Sequence, residues 1–212
     1  MKNLFGKLLI VLTVAVGFAS CMKEDGNDDW IKQAEEQERV IDSILTADKN
    51  KIKEYIEEHL PDAVEDTVTF DFQYLGKSNV KRGMWYKVQQ LPTDDSYEYQ
   101  VEGNAYKYPK VKLNYTAKLL DGTVVESAEG ENFNFAIQSS IINNAWFVSF
   151  FPYAIRLNSN DIPVGGLTKD GLKKGSIITV VTPSRYAYAS TAKTDIPANS
   201  PLVYEFEVIS IE

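Results

Sequence analysis

Between residues 30 and 60 the apolar positions Trp30, Ile31, Ala34, Ile41, Ile44, Leu45, Ile52, Tyr55 and Ile56 recur mostly at intervals of three and four, with charged residues between them. That period is helical. A break is expected at Thr46-Ala47-Asp48, where Asp48 caps a second helix that stops before Pro61. Beyond Pro61 the period shortens to two. Thr67-Val68-Thr69-Phe70-Asp71-Phe72-Gln73-Tyr74-Leu75 and Met84-Trp85-Tyr86-Lys87-Val88 read as strands, residues 76–83 as the turn between them, and residues 92–99 as a polar connection. Val111-Lys112-Leu113-Asn114-Tyr115-Thr116 alternates cleanly, Asp121-Gly122 is a hairpin dipeptide, and Thr123-Val124-Val125 returns from it. In the last strand Leu202, Tyr204, Phe206 and Val208 share one face and Glu205 and Glu207 the other, as in a half-buried antiparallel strand. Residues 141–157 carry Ile141, Ile142, Trp146, Phe147, Phe150, Phe151, Ile155 and Leu157, more apolar bulk than one short helix needs. Such a segment either buries both faces or leaves a binding patch. Residues 156–173, polar and glycine-bearing, read as a long loop.

The first twenty residues break this pattern. Lys2 and Lys7 precede a short apolar run that ends in Ala19-Ser20-Cys21, the form of a secretory signal and too short for a comfortable membrane span. A lone cysteine directly after Ala-Ser resembles a bacterial lipobox, whose cleavage leaves the cysteine as a diacylated N-terminus. Phe18 departs from the usual aliphatic residue three places earlier, which keeps ordinary secretion open. Two acyl chains anchor stably. Residues 21–29, with Glu24, Asp25, Asp28 and Asp29, form an acidic tether. It is either a solvated spacer or, as in some Gram-negative groups, an address to the cell surface. The expected location is therefore the envelope of a Gram-negative bacterium, lipid-anchored at the outer membrane.

Composition narrows the function. Loss of residues 1–20 removes Lys2 and Lys7 and no acid, moving the formal charge from −8 to −10. So acidic a protein, without a Lys/Arg cluster, suits neither nucleic acid nor an anionic lipid surface. Cys21 is the only cysteine, which excludes an intramolecular disulfide and a cysteine-based zinc site. His59, the only histidine, stands at the end of the helical stretch as a solvated residue, so neither a Ser-His-Asp hydrolase nor a clustered metal site is expected. Twelve tyrosines and ten phenylalanines favour strands.

Residues 111–127, Phe133-Asn134-Phe135, Lys174-Gly175, Thr182-Pro183-Ser184-Arg185-Tyr186-Ala187-Tyr188-Ala189 and Ile196-Pro197-Ala198-Asn199-Ser200-Pro201-Leu202-Val203-Tyr204-Glu205-Phe206-Glu207-Val208 follow one another in an order that resembles the FKBP-type peptidyl-prolyl cis-trans isomerases. The resemblance implies an α+β fold: a twisted antiparallel sheet, an FKBP-like half-barrel, wraps a short helix and leaves an apolar pocket between them. The expected organisation is a signal at 1–20, the tether at 21–29, a helical extension at 30–61 and the FKBP-like domain at 67–212 with an insertion near 156–172. By position in the family pattern, Tyr115, Glu126 and Tyr188 are implied as the catalytic set, the Tyr188 hydroxyl meeting the substrate carbonyl. Val125, Phe133, Phe135, Ile142, Trp146, Ile196 and Tyr204 are implied as the pocket. Trp146 is the pocket floor if Ile142-Asn143-Asn144-Ala145-Trp146 opens the helix; Leu167 is its rival if Gly165-Gly166-Leu167 does. The implied partner is a proline-containing polypeptide, with no cofactor and no metal.

Three departures from the family pattern predict weakened isomerisation in a preserved fold. Val125 replaces a usual phenylalanine, removing a pocket wall. Glu126 replaces an aspartate, so its carboxylate reaches about one methylene past the tyrosine hydroxyl it should orient. Ala145 and Ala189 stand where glycine is usual, restricting the backbone. The alternative to a folding helper for exported proteins is a non-catalytic binding module that uses the pocket or the aromatic helix.

Overall fold

The computed structural model describes residues 27–212 except 104, 138 and 140. The signal-like run, Cys21 and the tether up to Gly26 lie outside the described residues. Residues 27–29, read as tether, form the first turn of helix α1 (Asn27–His59). This helix is continuous over 33 residues, about 50 Å at 1.5 Å per residue. The break expected near Asp48 is absent because no glycine or proline interrupts the stretch, and the Asp48 side chain bonds to the main domain instead of capping its own helix. Pro61 disfavours helical backbone at Leu60 and ends the run. Among the described residues no helix is long and apolar enough to cross a membrane.

Strands β1 (Val64–Glu65), β2 (Thr69–Phe72), β3 (Lys77–Lys81) and β4 (Trp85–Gln90) follow. Residues 77–81, taken from the sequence as part of a turn, are strand β3 paired with β2. The real turn lies just before it, at Gly76 with φ 63°. Glu38 of α1 holds that turn, its carboxylate accepting from the N–H groups of Gln73, Tyr74 and Leu75 at 2.9, 2.7 and 2.8 Å. Strand β4 does not return on β2; it pairs with β1 on one side and β11 on the other.

Then come β5 (Val101–Glu102), β6 (Ala105–Tyr106), β7 (Lys110–Leu119), β8 (Val124–Asn134), helix α2 (Asn144–Phe150), β9 (Ala154–Leu157), β10 (Asn160–Pro163), β11 (Ile177–Thr182) and β12 (Leu202–Ile211). The main sheet is antiparallel with strand order β1-β4-β11-β12-β7-β8. Alternation gives it two faces. Ile178, Val180, Leu202, Tyr204, Phe206, Leu113 and Tyr115 point inward to α2, while Val181 and Val203 point outward and meet Ile52 and Ile56 of α1. The fold is thus α+β, an antiparallel sheet around a short helix with an N-terminal helix behind it.

The segment after α2 differs from the long loop expected. Residues 154–163 form a hairpin, β9 with β10, closed by Asn158 and Ser159 at φ 47° and 69°, the left-handed pair that a tight two-residue turn requires. Residues 164–173 are built into the core, with Val164, Leu167 and Leu172 buried. Their backbone satisfies the C-terminal carbonyls of α2, which a helix cannot pair internally: Leu167 N–H donates to Val148 at 2.8 Å and Leu172 N–H to Phe150 at 2.9 Å. The Tyr99 hydroxyl, 2.7 Å from both the Phe150 and Leu172 carbonyls, clamps the same joint. Helix α2 therefore buries both faces, and the connection is a structural brace that cannot be shortened to a simple turn without opening the core.

Candidate functional site

Helix α2 is fixed from its first residue. Asn143 accepts from the N–H groups of Ala145 and Trp146 at 3.1 and 3.4 Å, a side-chain N-cap, and its Nδ2 donates to the Tyr204 hydroxyl at 2.9 Å. One residue thus ties the helix start to the last strand. The cap aims Trp146 into the hollow of the sheet. Its ring lies 4.8 Å from Tyr115 on β7, 5.1 Å from Phe133 on β8, 4.9 Å from Phe206 and 6.3 Å from Tyr204 on β12, between ring centres. Phe135 reaches Trp146 at 6.2 Å and Phe150 at 4.9 Å. Most of these pairs are tilted or edge-on, the favoured aromatic geometry. Leu167 lies in the brace beyond β10, whereas Trp146 lies among the rings on the inner face of the sheet.

The upper part of the hollow is lined by Val125 and Ile142, both half-buried, and by buried Ile196. Tyr188 comes from the loop between β11 and β12, in the turn after the 3-10 turn at Ser184–Tyr186. Its hydroxyl, implied by the resemblance to await a substrate, donates instead to Glu126 at 2.7 and 2.9 Å to the two carboxylate oxygens. Lys193 sits over the Tyr188 ring at 5.1 Å, a cation–π contact. Ala189 takes φ 50°, the left-handed conformation that costs a non-glycine residue roughly 1–2 kcal/mol. Ala145, by contrast, is helical and buried.

Burial keeps the tyrosines of the site protonated. Burial, followed by the negative charges of Glu126 and Glu131, raises the Tyr115 hydroxyl to about 12. Burial also raises Tyr188, reinforced by Tyr204 and Glu126, and raises Tyr204 against the opposing Asn143 bond. All three remain protonated donors at neutral pH. Burial pushes the Glu126 carboxyl up, opposed by the Tyr188 bond and by Lys193. The Trp146 Nε1–H is buried with no acceptor among the described residues. Trp146 and Tyr204 have no exposed surface. Among the described residues no group of three or more metal-ligating side chains converges.

The structure therefore gathers Tyr115, Phe133, Phe135, Trp146 and Tyr204 into one ring cluster, places Val125, Ile142, Ile196 and Tyr188 around it, and joins Glu126 to Tyr188. Asn143, Lys193, Phe206 and Tyr99 also build or brace the site and were not singled out from the sequence. Asn143 left a readable signal, an asparagine just ahead of a short apolar run. Tyr99 left none, being one tyrosine in a polar stretch.

The family model for FKBP-type peptidyl-prolyl cis-trans isomerases matches residues 101–209, just over half of the chain. The chain belongs to that family. The FKBP-type segment thus runs from β5 almost to the end of β12 and leaves α1 and β1–β4 outside it. Similar solved structures include a peptidyl-prolyl cis-trans isomerase from Pseudomonas syringae pv. tomato, 17% identical over 81% of this chain and 95% of that one with a TM-score of 0.48. Another is FkpA from Escherichia coli, 20% identical over 91% of this chain and 75% of that one with a TM-score of 0.45. AtFKBP13 is 18% identical over 60% of this chain and 92% of that one, with a TM-score of 0.44. No curated protein matches the chain.

Proposed function

We propose that this chain is a slow peptidyl-prolyl isomerase that assists the folding of exported polypeptides from a lipid anchor at Cys21, in the envelope of a Gram-negative bacterium and at its outer membrane. The convergence of Tyr115, Phe133, Trp146 and Tyr204 on one apolar hollow, with the Tyr188 hydroxyl at its rim, carries the isomerase part. Isomerisation about an X-Pro bond crosses a barrier of about 18–20 kcal/mol because the planar amide loses its resonance. A dry apolar hollow disfavours the charge-separated planar form, and a fixed hydroxyl donor favours the twisted carbonyl. Each ~1.4 kcal/mol gained is tenfold in rate. Neither a nucleophile nor a metal enters the reaction.

The Tyr188–Glu126 bond supports the slowness. A substrate carbonyl competes with a carboxylate for the same proton, and a charge-assisted bond is the stronger of the two. Glu126→Asp, one methylene shorter, releases the hydroxyl and is expected to raise kcat/KM in a protease-coupled proline-peptide assay severalfold. Tyr188→Phe lowers whatever rate the chain has. The same bond favours a second reading, a protein-binding module without turnover. Peptide binding with no catalysed isomerisation in the chain and in Glu126→Asp would establish that reading. For the anchor, Cys21→Ala is expected to abolish fatty-acid labelling and membrane partition; a native protein wholly soluble and unlabelled would remove it.

A further inference from the structure

The loop that carries Tyr188 is held from outside the family segment. Asp48, midway along α1, is 2% exposed, and one of its carboxylate oxygens accepts both from the Ser184 N–H at 2.8 Å and from the Ser184 hydroxyl at 2.7 Å. Ser184, itself fully buried, is the post on which the loop turns. Its carbonyl accepts from the N–H groups of Ala187 at 3.0 Å and Ala189 at 2.7 Å, the two neighbours of Tyr188. Ala189 is the residue forced into φ 50°, and its own carbonyl takes the Asn199 N–H at 2.7 Å. An uninterrupted path of directed bonds thus runs from α1 through Ser184 to both sides of Tyr188.

Docking α1 does not require this arrangement. Ile52 and Ile56 already seal against Val181 and Val203, and Glu38 already anchors the first half of the helix. Burying a carboxylate is costly unless directed bonds compensate it, and an apolar residue at position 48 would dock a helix more simply. We infer that Asp48 is a positioning residue, holding the Ser184–Ala189 turn so that the Tyr188 hydroxyl stands at the rim of the hollow. This rests on the isomerase reading for its consequence in rate, though not for its consequence in the loop.

The test compares Asp48→Ala, Asp48→Asn and Ile52→Ala in the full chain, reading amide hydrogen exchange at Ala187 and Ala189 alongside kcat/KM for a proline peptide. Asp48→Ala is expected to speed exchange at those two amides and to lower kcat/KM, each roughly tenfold, as loss of a bond to a charged group implies. Asp48→Asn, which keeps an acceptor oxygen, recovers most of both. Ile52→Ala lies one turn further on and loosens the helix without touching the loop, so exchange at Ala187 and Ala189 relative to the rest of the sheet stays unchanged. Equal effects of Asp48→Ala and Ile52→Ala on the loop, or unchanged exchange in Asp48→Ala, overturn the inference. If Asp48→Ala does not fold, Ser184→Ala decides, and unchanged exchange in that folded variant overturns it. A wild type without isomerase activity defeats the isomerase reading alone, because the exchange measurement still judges Asp48.

Discussion

The two faces of the central sheet are held by different kinds of force. On the inner face rings meet rings: Trp146 touches Tyr115, Phe133, Phe135, Phe150, Tyr204 and Phe206. Such contacts are individually weak and collectively large. On the outer face a small apolar seam of Ile52, Ile56, Val181 and Val203 is supplemented by carboxylates. Glu38 grips a backbone turn, Asp48 grips Ser184, and Glu205 accepts from Thr116 at 3.0 Å and Lys118 at 2.7 Å. Ring packing spreads its stability over many contacts, whereas each carboxylate fixes one place with modest stability.

Five substitutions test that division, beginning with the largest effect. Trp146→Ala is expected to cost about 3–5 kcal/mol, the range for removing a buried aromatic side chain, seen as a lowered urea midpoint. A loss comparable to that of an outer-face substitution would end the comparison. Gly166→Ala follows. A Cβ there would lie 1.8 Å from the Phe151 carbonyl oxygen, so backbone must move. The expected loss is about 2–3 kcal/mol by overpacking, against the tolerance of an ordinary loop. Glu38→Ala removes three bonds to a half-exposed turn and is expected to cost about 1 kcal/mol, with faster exchange at the Gln73, Tyr74 and Leu75 amides.

The smallest effect is one of sign. Burial raises the folded pKa of Glu126 at the inner rim. The native state therefore holds that proton to higher pH, and stability rises as pH falls through the raised value toward the ordinary ~4.3. Burial also pushes Glu205 upward, but its bonds from Lys118 and Thr116 outweigh it and the net shift is downward. Its contribution is present above the ordinary value and is lost as pH falls through the lowered one. Glu126→Gln should remove a gain on acidification and Glu205→Gln a loss, both read from Tm against pH. The same sign for both would break the contrast.

Most of the inner face was legible in the sequence because alternation writes it there. Leu202, Tyr204, Phe206 and Val208 declare one side of β12, and Asp121-Gly122 declares the hairpin of β7 and β8. The outer face was not, since it depends on contacts between residues far apart. Asp48 read as a helix cap and proved to bond a residue 136 positions away. The turn at 76–83 hid strand β3 because its residues are polar and sit on an exposed two-stranded ribbon, where alternation marks nothing. Residues 164–173 read as part of a long loop because Gly165 and Gly166 suggest one; Gly166 is required because the chain passes hard against Phe151. The match of Glu126 to the acid position of the family was visible, but which hydroxyl its longer side chain takes was not, since that depends on the width of the hollow.

The strand order β1-β4-β11-β12-β7-β8 also bears on how a chain leaving the ribosome matures. The two middle strands, β11 and β12, are synthesised after every strand they join. Until they arrive, β1 with β4 and β7 with β8 are separate fragments whose open edges and aromatic faces invite association with other chains. Tyr204 and Phe206, which complete the enclosure of Trp146, come with the last strand. Burial of that indole therefore reports that β12 has joined the sheet: a product lacking β12 leaves Trp146 in a wet environment and presents itself to proteases as unfinished.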